Sequence, residues 1–275
     1  MAITTKEFEK FRDFYYRKTG TYFADNKRYF VDKRIDDQIH RHQFKDFNDY
    51  FTYLRFDIKA QTLMQDLINS MTVNETYFMR ESYQFDCLVN SLLPELVKRR
   101  PGQLLRVLSL PCSTGEEPYS IAMTILERWP QINEVDVELV ATDIDSNVLE
   151  KARRGVFGRR SISRVPMDWQ RKYFTKLTTN IEQWELSHDI TGAVSFYSVN
   201  LIDEHDVSKL GKFDVIFCRN LLIYFDTPSR MKAAKHFYKI LNPGGYLLLG
   251  HSESMSRISS LFKPVRFAEG TVYQK

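Results

Sequence analysis

Apolar residues at the start of the chain recur at helical spacing: Phe8, Phe11 and Tyr15 follow Thr4 and Thr5, either of which can cap a helix, and Gly20 supplies a stop. The pattern then repeats. Residues 29–42 carry Phe30, Ile35 and Ile39 among charges, 47–56 are rich in aromatics, and 60–71 place Leu63, Leu67 and Ile68 on one face. Residues 83–99 predict a further, connecting helix.

Beyond it the pattern changes. Short apolar runs at 104–110, 137–142, 195–199, 213–218 and 246–249 alternate with helical stretches at 119–128, 147–154 and 228–241, which predicts a doubly wound α/β sheet of Rossmann-like type. Asn242-Pro243-Gly244-Gly245 predicts a turn before the last run. Residues 157–194 are too long and too polar for a plain connection and predict an inserted subdomain. The expected organisation is a helical domain with its connecting segment over 1–82 and an α/β domain over 83–275 that carries the insert.

Composition narrows the function only by exclusion. At 43% hydrophobic and 27% charged, the 275 residues have the balance of a globular chain with a sizeable core. No apolar run reaches the roughly 18 residues of a membrane span, and Lys6, Glu7, Glu9 and Lys10 interrupt any signal-peptide core, so a cytoplasmic protein without membrane insertion is expected. Cys87, Cys112 and Cys218 are widely spaced and lack a CxxC or His cluster, which predicts free thiols with neither a disulfide framework nor a metal site. With 39 basic against 35 acidic residues, the charge is too balanced to imply nucleic acid.

Chemistry is expected beyond the carboxyl ends of the strands, where open α/β sheets bind ligands. The first strand runs into Pro111-Cys112-Ser113-Thr114-Gly115-Glu116-Glu117-Pro118, whose small residues let a ligand approach the next helix N-terminus. There is no GxGxxG, and the glutamates would repel a pyrophosphate but suit a cationic amine. Asp143, at the end of the second strand, is placed to accept hydrogen bonds from ribose hydroxyls. An adenosine ligand without phosphates satisfies both features, although Glu117 and Asp143 also suit helix capping. The fourth run delivers Arg219, Asn220 and Tyr224 to the same edge, where loop capping and a core tyrosine are the plainer alternative. Arg80 lies where the two halves meet and can recognise a carboxylate or remain a solvated charge.

Taken in order, these blocks resemble the CheR family of chemotaxis receptor methyltransferases over nearly the whole chain. The resemblance rests on Asn74-x-Thr76-x-x-x-Arg80, on residues 113–122 and 141–145, on Ser198-Val199-Asn200-Leu201, on Phe217-Cys218-Arg219-Asn220 with Ile223-Tyr224-Phe225, and on Gly250-His251-Ser252-Glu253. It implies S-adenosylmethionine held by Asn74, Thr76, Arg80, Glu117, Asp143, Asn200, Leu201, Cys218 and Arg219, with Arg80 and Tyr224 close to the methyl group and the incoming glutamate. It also implies S-adenosylhomocysteine as product, no metal, and a protein substrate in the cytoplasmic helical region of chemoreceptors (methyl-accepting chemotaxis proteins), with the enzyme a monomer recruited to membrane receptor arrays. Another protein acceptor, or a non-catalytic S-adenosylmethionine-binding module, is the alternative.

Two segments depart from the family's pattern. The helix that the resemblance aligns with its basic receptor-binding helix keeps Lys27, Arg28, Lys33, Arg34 and Arg41 but is diluted by Asp36 and Asp37. The insert corresponds to the family's small β-subdomain, which in some members grips a receptor's C-terminal tether through a glycine-containing loop. This chain has Thr175-Lys176-Leu177-Thr178-Thr179-Asn180 there, so independence of such a tether is expected.

Overall fold

The computed structural model describes residues 3–178 and 181–275. Four helices come first: α1 (Thr5–Thr19), α2 (Arg28–Arg41), α3 (Phe47–Phe56) and α4 (Ala60–Met71). Thr4 and Glu7 close a reciprocal capping box at the start of α1, and Gly20 ends it at φ 74°. The inward faces, among them Phe11, Val31, Ile35, Tyr50 and Leu67, form a separate aromatic-rich core.

Residues 83–99 follow as one continuous helical stretch, with α5 (Tyr83–Cys87) and α6 (Leu93–Arg99) joined through a π turn at Leu88–Leu92. The α/β unit continues with β1 (Leu105–Ser109), α7 (Glu116–Arg128), β2 (Val137–Asp143) and α8 (Ser146–Arg154). The insert contributes β3 (Val156–Gly158), α9 (Arg159–Ile162), α10 (Met167–Tyr173), β4 (Phe174–Lys176), β5 (Gln183–Leu186) and α11 (His188–Thr191). The main sheet resumes with β6 (Val194–Ser198), α12 (Glu204–Lys209), β7 (Phe213–Cys218), α13 (Thr227–Ile240), β8 (Leu241–Leu249), β9 (Lys263–Arg266) and β10 (Thr271–Gln274).

The seven-stranded sheet has the order β6-β2-β1-β7-β8-β10-β9, and the insert forms its own antiparallel sheet, β3-β5-β4. Strand β1 pairs in parallel with both β2 and β7, so the chain winds outward in both directions from that point. Ser109 faces Ala141 on one side and Phe217 on the other, which brings the carboxyl ends of three central strands to one edge. Strand β8 starts earlier than the turn signal predicts. Leu241 already pairs with Phe213, the register then shifts before Tyr246 meets Val215, and Asn242-Pro243-Gly244-Gly245 is absorbed as a bulge. Asn242 donates to the buried Asp214 at 2.8 Å and so anchors the bulge.

The two halves are fastened on both sides of the carboxyl edge. Asn200 donates from its side chain to the Lys18 carbonyl at 2.6 Å, Tyr16 donates to Asp226, and Thr21 makes a β-bridge to Phe225. Opposite, Gln65 donates to the Ile144 carbonyl at 2.9 Å, and Asn69 exchanges two hydrogen bonds with Ser146. Among the described residues no helix is long and apolar enough to cross a membrane.

Candidate active site

A cleft of about 400 Å³ opens between the helical domain and the carboxyl edge of the sheet. Its size is that of a small-molecule site. Asn74, Thr76, Arg80, Glu117, Asp143, Asn200, Leu201, Arg219 and Tyr224 all line it, so nine of the ten residues that the resemblance implies come together, with Asn220 beside them. Cys218 does not line it. As the last residue of an all-buried strand, it turns its sulfur into the hydrophobic core, where burial pushes the thiol well above its ordinary range.

The loops around the cleft hold unusual backbone. Met79, Glu81, Ser113 and Asn220 adopt φ between 48° and 62°, a region that non-glycine residues enter at a cost and that clusters at functional sites. Two of them flank Arg80. Gly115 adopts φ 98°, and a Cβ there would stand 2.8 Å from the Tyr119 ring and 3.1 Å from Ala152, so only glycine fits the turn that opens α7.

Charge inside the cleft is organised around Arg219, which is only 4% exposed. Its guanidinium donates to Glu117 at 2.8 Å and to the Arg80 carbonyl at 2.5 Å, and lies 3.4 Å from Glu81. Glu117 takes a further hydrogen bond from Ser109 at 2.7 Å. Burial pushes Glu117 upward, and Arg219 offsets this only in part. Burial also opposes ionisation of Glu81, but Arg219 and the hydrogen bond with His251 outweigh it and its carboxyl is lowered. Glu116, the other acid of the turn, faces away from the cleft, bonded to Thr114 and Ser161.

Asp143 accepts the Ser113 N–H at 2.8 Å and the Asp145 N–H at 3.0 Å. These bonds do not compensate its burial, which raises the carboxyl to about 6. A carboxylate has about four acceptor positions, so two remain for a ligand's hydroxyls. Asp145 caps α8 and accepts from Thr72 and from Asn74 at 2.9 Å, which positions Asn74 on the cleft wall.

Side chains to which the strand-end reading gave no role hold this arrangement. The Glu253 carboxylate accepts the N–H groups of Asn220 and Gly250, each at 2.9 Å, and of Ile223 at 3.3 Å, pinning the loop that carries Tyr224. His236 bonds to the Leu201 carbonyl at 2.7 Å. Asn200, besides lining the cleft, bonds through its side-chain oxygen to the Ile202 N–H at 3.1 Å. Glu253 entered the sequence reading only as part of the Gly250-His251-Ser252-Glu253 block just after a strand, and a Cβ at Gly250 would stand 2.9 Å from Asn220 and from Glu253 itself.

The cleft suits an adenosine-type ligand on grounds of its own. Ser113 Oγ and Arg219 Nε are buried without a hydrogen-bond partner, and both residues line it. Such atoms are rare unless a ligand or water completes them. With an acid at the end of β2 and a glycine turn after β1, beside the point where strand order reverses, the fold and site define a nucleoside-binding α/β protein.

Comparison with known proteins takes the assignment further. Residues 74–271 match the CheR methyltransferase, SAM binding domain, and residues 6–72 match the CheR methyltransferase, all-alpha domain. The chain is 50% identical to chemotaxis protein methyltransferase 2 of Vibrio cholerae serotype O1, across 100% of this chain and 94% of the relative. It is 32% identical to chemotaxis protein methyltransferase Cher2 of Pseudomonas putida, across 100% and 99%. Among solved structures, an O-methyltransferase family protein from Burkholderia thailandensis covers 88% of this chain and 70% of its own at 16% identity, with a TM-score of 0.42. The chain belongs to the CheR methyltransferase family.

Proposed function

We propose that this protein transfers a methyl group from S-adenosylmethionine to glutamate side-chain carboxylates in the cytoplasmic helical region of chemoreceptors, giving glutamate methyl esters and S-adenosylhomocysteine. The observation that carries the reading is Arg80. It lines the same cleft as Asp143 and Glu117, and its guanidinium donates to a backbone carbonyl, that of Glu75, at 2.8 Å, with further donors left for an incoming carboxylate. The chemotaxis methyltransferase names of the full-length relatives point the same way.

When bound, S-adenosylmethionine supplies an activated methyl group with its own leaving group. Asp143 would accept the ribose hydroxyls, the Ser113 hydroxyl and Arg219 would complete the pocket, and Glu117 with Arg219 would set its charge. Asn74, Thr76, Asn200 and Leu201 would close round the remainder. A glutamate side chain, with an unperturbed pKa near 4.3, arrives ionised at pH 7 and needs no general base. The task of Arg80 and Tyr224 is therefore alignment: the guanidinium fixes the carboxylate and the tyrosine shapes the wall, holding the oxygen about 3 to 3.5 Å from the methyl carbon.

The protein works as a cytoplasmic monomer recruited to receptor arrays, and no metal takes part. Of the basic helix, Lys33 and Arg41 are exposed and suit an acidic partner, whereas Arg28 is turned onto the Ile3 carbonyl and Thr5, and Arg34 lies over Phe30. Receptor methylation proceeds without a C-terminal tether; of the segment behind that reading, Thr179 and Asn180 lie outside the described residues. The test is transfer of label from S-adenosylmethionine to a soluble receptor cytoplasmic fragment. Alkali-labile label lost when the acceptor glutamates are changed to alanine supports the proposal, and label that survives that change sinks it. Tight binding of a receptor C-terminal peptide would overturn the tether reading.

A further inference from the structure

Arg164 lies beyond every residue assigned so far. It follows α9 in the insert, is exposed, and holds its guanidinium 4.6 Å from the ring centre of Tyr77. The same ring has the Arg80 guanidinium 5.7 Å away. Two segments distant in sequence thus set two guanidinium groups against one tyrosine at the mouth of the cleft.

The placement is preorganised. Phe78 donates its N–H to the Ser161 carbonyl at 3.0 Å, and its ring packs edge-on against Phe157 and Phe174 of the insert, with centroids 4.7 Å and 5.2 Å away. Ser161 in turn donates to Glu116 at 2.8 Å. The base of α9 is therefore tied both to the Arg80 segment and to the first turn of α7. Neighbouring arginines are engaged elsewhere: Arg159 faces Glu182 at 3.4 Å and Arg160 faces Glu75 at 3.9 Å. Among the described residues no carboxylate pairs with Arg164.

A guanidinium lying over an aromatic ring keeps its edge N–H donors free, the geometry that recognises carboxylates bidentately. We propose that Arg164 is a substrate-positioning residue, which takes an acidic side chain of the protein substrate flanking the glutamate that Arg80 aligns. This rests on the receptor-methylation reading and specifies what that site reads beyond the reacting residue. On a helical substrate, residues three or four positions apart are neighbours on one face, so a flanking acid one turn away presents its carboxylate beside the reacting one. Charge complementarity favours this occupant: Glu117 is paired with Arg219 and Asp143 is buried, so Glu75 is the exposed acid of the lining, held by Arg160, while Arg80 and Lys27 line the cleft and Arg164 stands over Tyr77 beside them.

The test uses the full-length protein, labelled S-adenosylmethionine and a soluble receptor cytoplasmic fragment. Arg164→Ala is expected to raise KM for the fragment about fivefold while kcat changes less than about twofold. Affinity for S-adenosylhomocysteine, read by calorimetry, should stay unchanged and reports that the variant is folded. Arg164→Lys should recover only part of the loss, because an ammonium lacks the planar fork. On a fragment whose flanking acidic residues are neutralised, Arg164→Ala should have no further effect. An unchanged KM in the alanine variant, or an effect that persists in full on the neutralised fragment, overturns the assignment while leaving receptor methylation intact. Failure of the unaltered protein to methylate the fragment removes both.

Discussion

Burial raises Asp143 to about 6, and this single group makes cofactor binding depend on pH in a calculable way. In the free protein the carboxylate accepts two backbone N–H groups and is otherwise poorly solvated. Ribose hydroxyls would add donors and favour the ionised form, returning the pKa toward the ordinary value of about 3.9. Binding should then expel a proton below about pH 6, and affinity for S-adenosylhomocysteine should fall about tenfold from pH 7 to pH 5. Calorimetry in two buffers of different ionisation enthalpy reads both the affinity and the proton released. In Asp143→Asn the dependence should disappear, together with much of the binding. The sign for stability runs the other way. The raised carboxyl favours the folded state most below the unfolded pKa, and that contribution is lost as pH rises through about 6, so the free Asn variant should show a flatter stability profile between pH 4 and pH 7 than the unaltered protein. Affinity that is level across this range, or a slope retained in Asp143→Asn, would refute the assignment of Asp143 to the ribose.

Three further outcomes test the framework around the site. Arg219→Ala leaves Glu81 and Glu117 without their shared cation, and denaturant unfolding should show a loss of about 3 kcal/mol; a change under about 1 kcal/mol would mean the cluster is already solvated. Glu253→Ala strands the Asn220, Gly250 and Ile223 amides, so methyl transfer should drop by about tenfold or more while S-adenosylhomocysteine affinity changes far less; equal losses in both would place Glu253 in the cofactor pocket. Gly20→Ala forces a side chain at φ 74° and a Cβ 2.5 Å from Ile202 Cγ1, which should cost about 1 to 3 kcal/mol and, by loosening the helical domain, weaken cofactor binding as well.

The elements legible in the sequence are those with one wet and one dry face. Helices α3 and α4 have the predicted bounds because their apolar stripes end where their burial ends. The π turn at Leu88–Leu92 was not legible: Leu88, Val89 and Leu92 are buried and Asn90 is exposed, a spacing that an uninterrupted α-helix accommodates equally well. Strand β9 escaped for the opposite reason. Lys263, Pro264 and Arg266 are exposed on the outermost strand, where pairing with β10 comes from the main chain and leaves little apolar pattern. The bulge in β8 follows from a partner 28 residues earlier in the chain, since it is Phe213 that captures Leu241 before the glycine turn.

The site divides along a similar line. Asp143, Glu117 and Arg219 could be read because a polar group that ends a buried strand or opens the next helix is conspicuous within a few residues, whereas Asn200 came only with the family resemblance. Cys218 shows the limit of that reading: position at the end of a strand brings a residue to the edge where ligands bind, but strand alternation decides where the side chain points, and here it points into the core. Glu81, Ser109 and Glu253 act through partners elsewhere in the chain, Glu81 and Arg219 being joined across a separation of 138 positions rather than by any local motif. A ligand-touching residue is selected by where its own segment ends, whereas a residue that holds another in place is selected by what the topology sets beside it. Mutations in the second class should therefore change cofactor geometry and protein stability together, as Arg219→Ala tests, while an exposed rim residue such as Arg164 is free to change substrate choice without disturbing either.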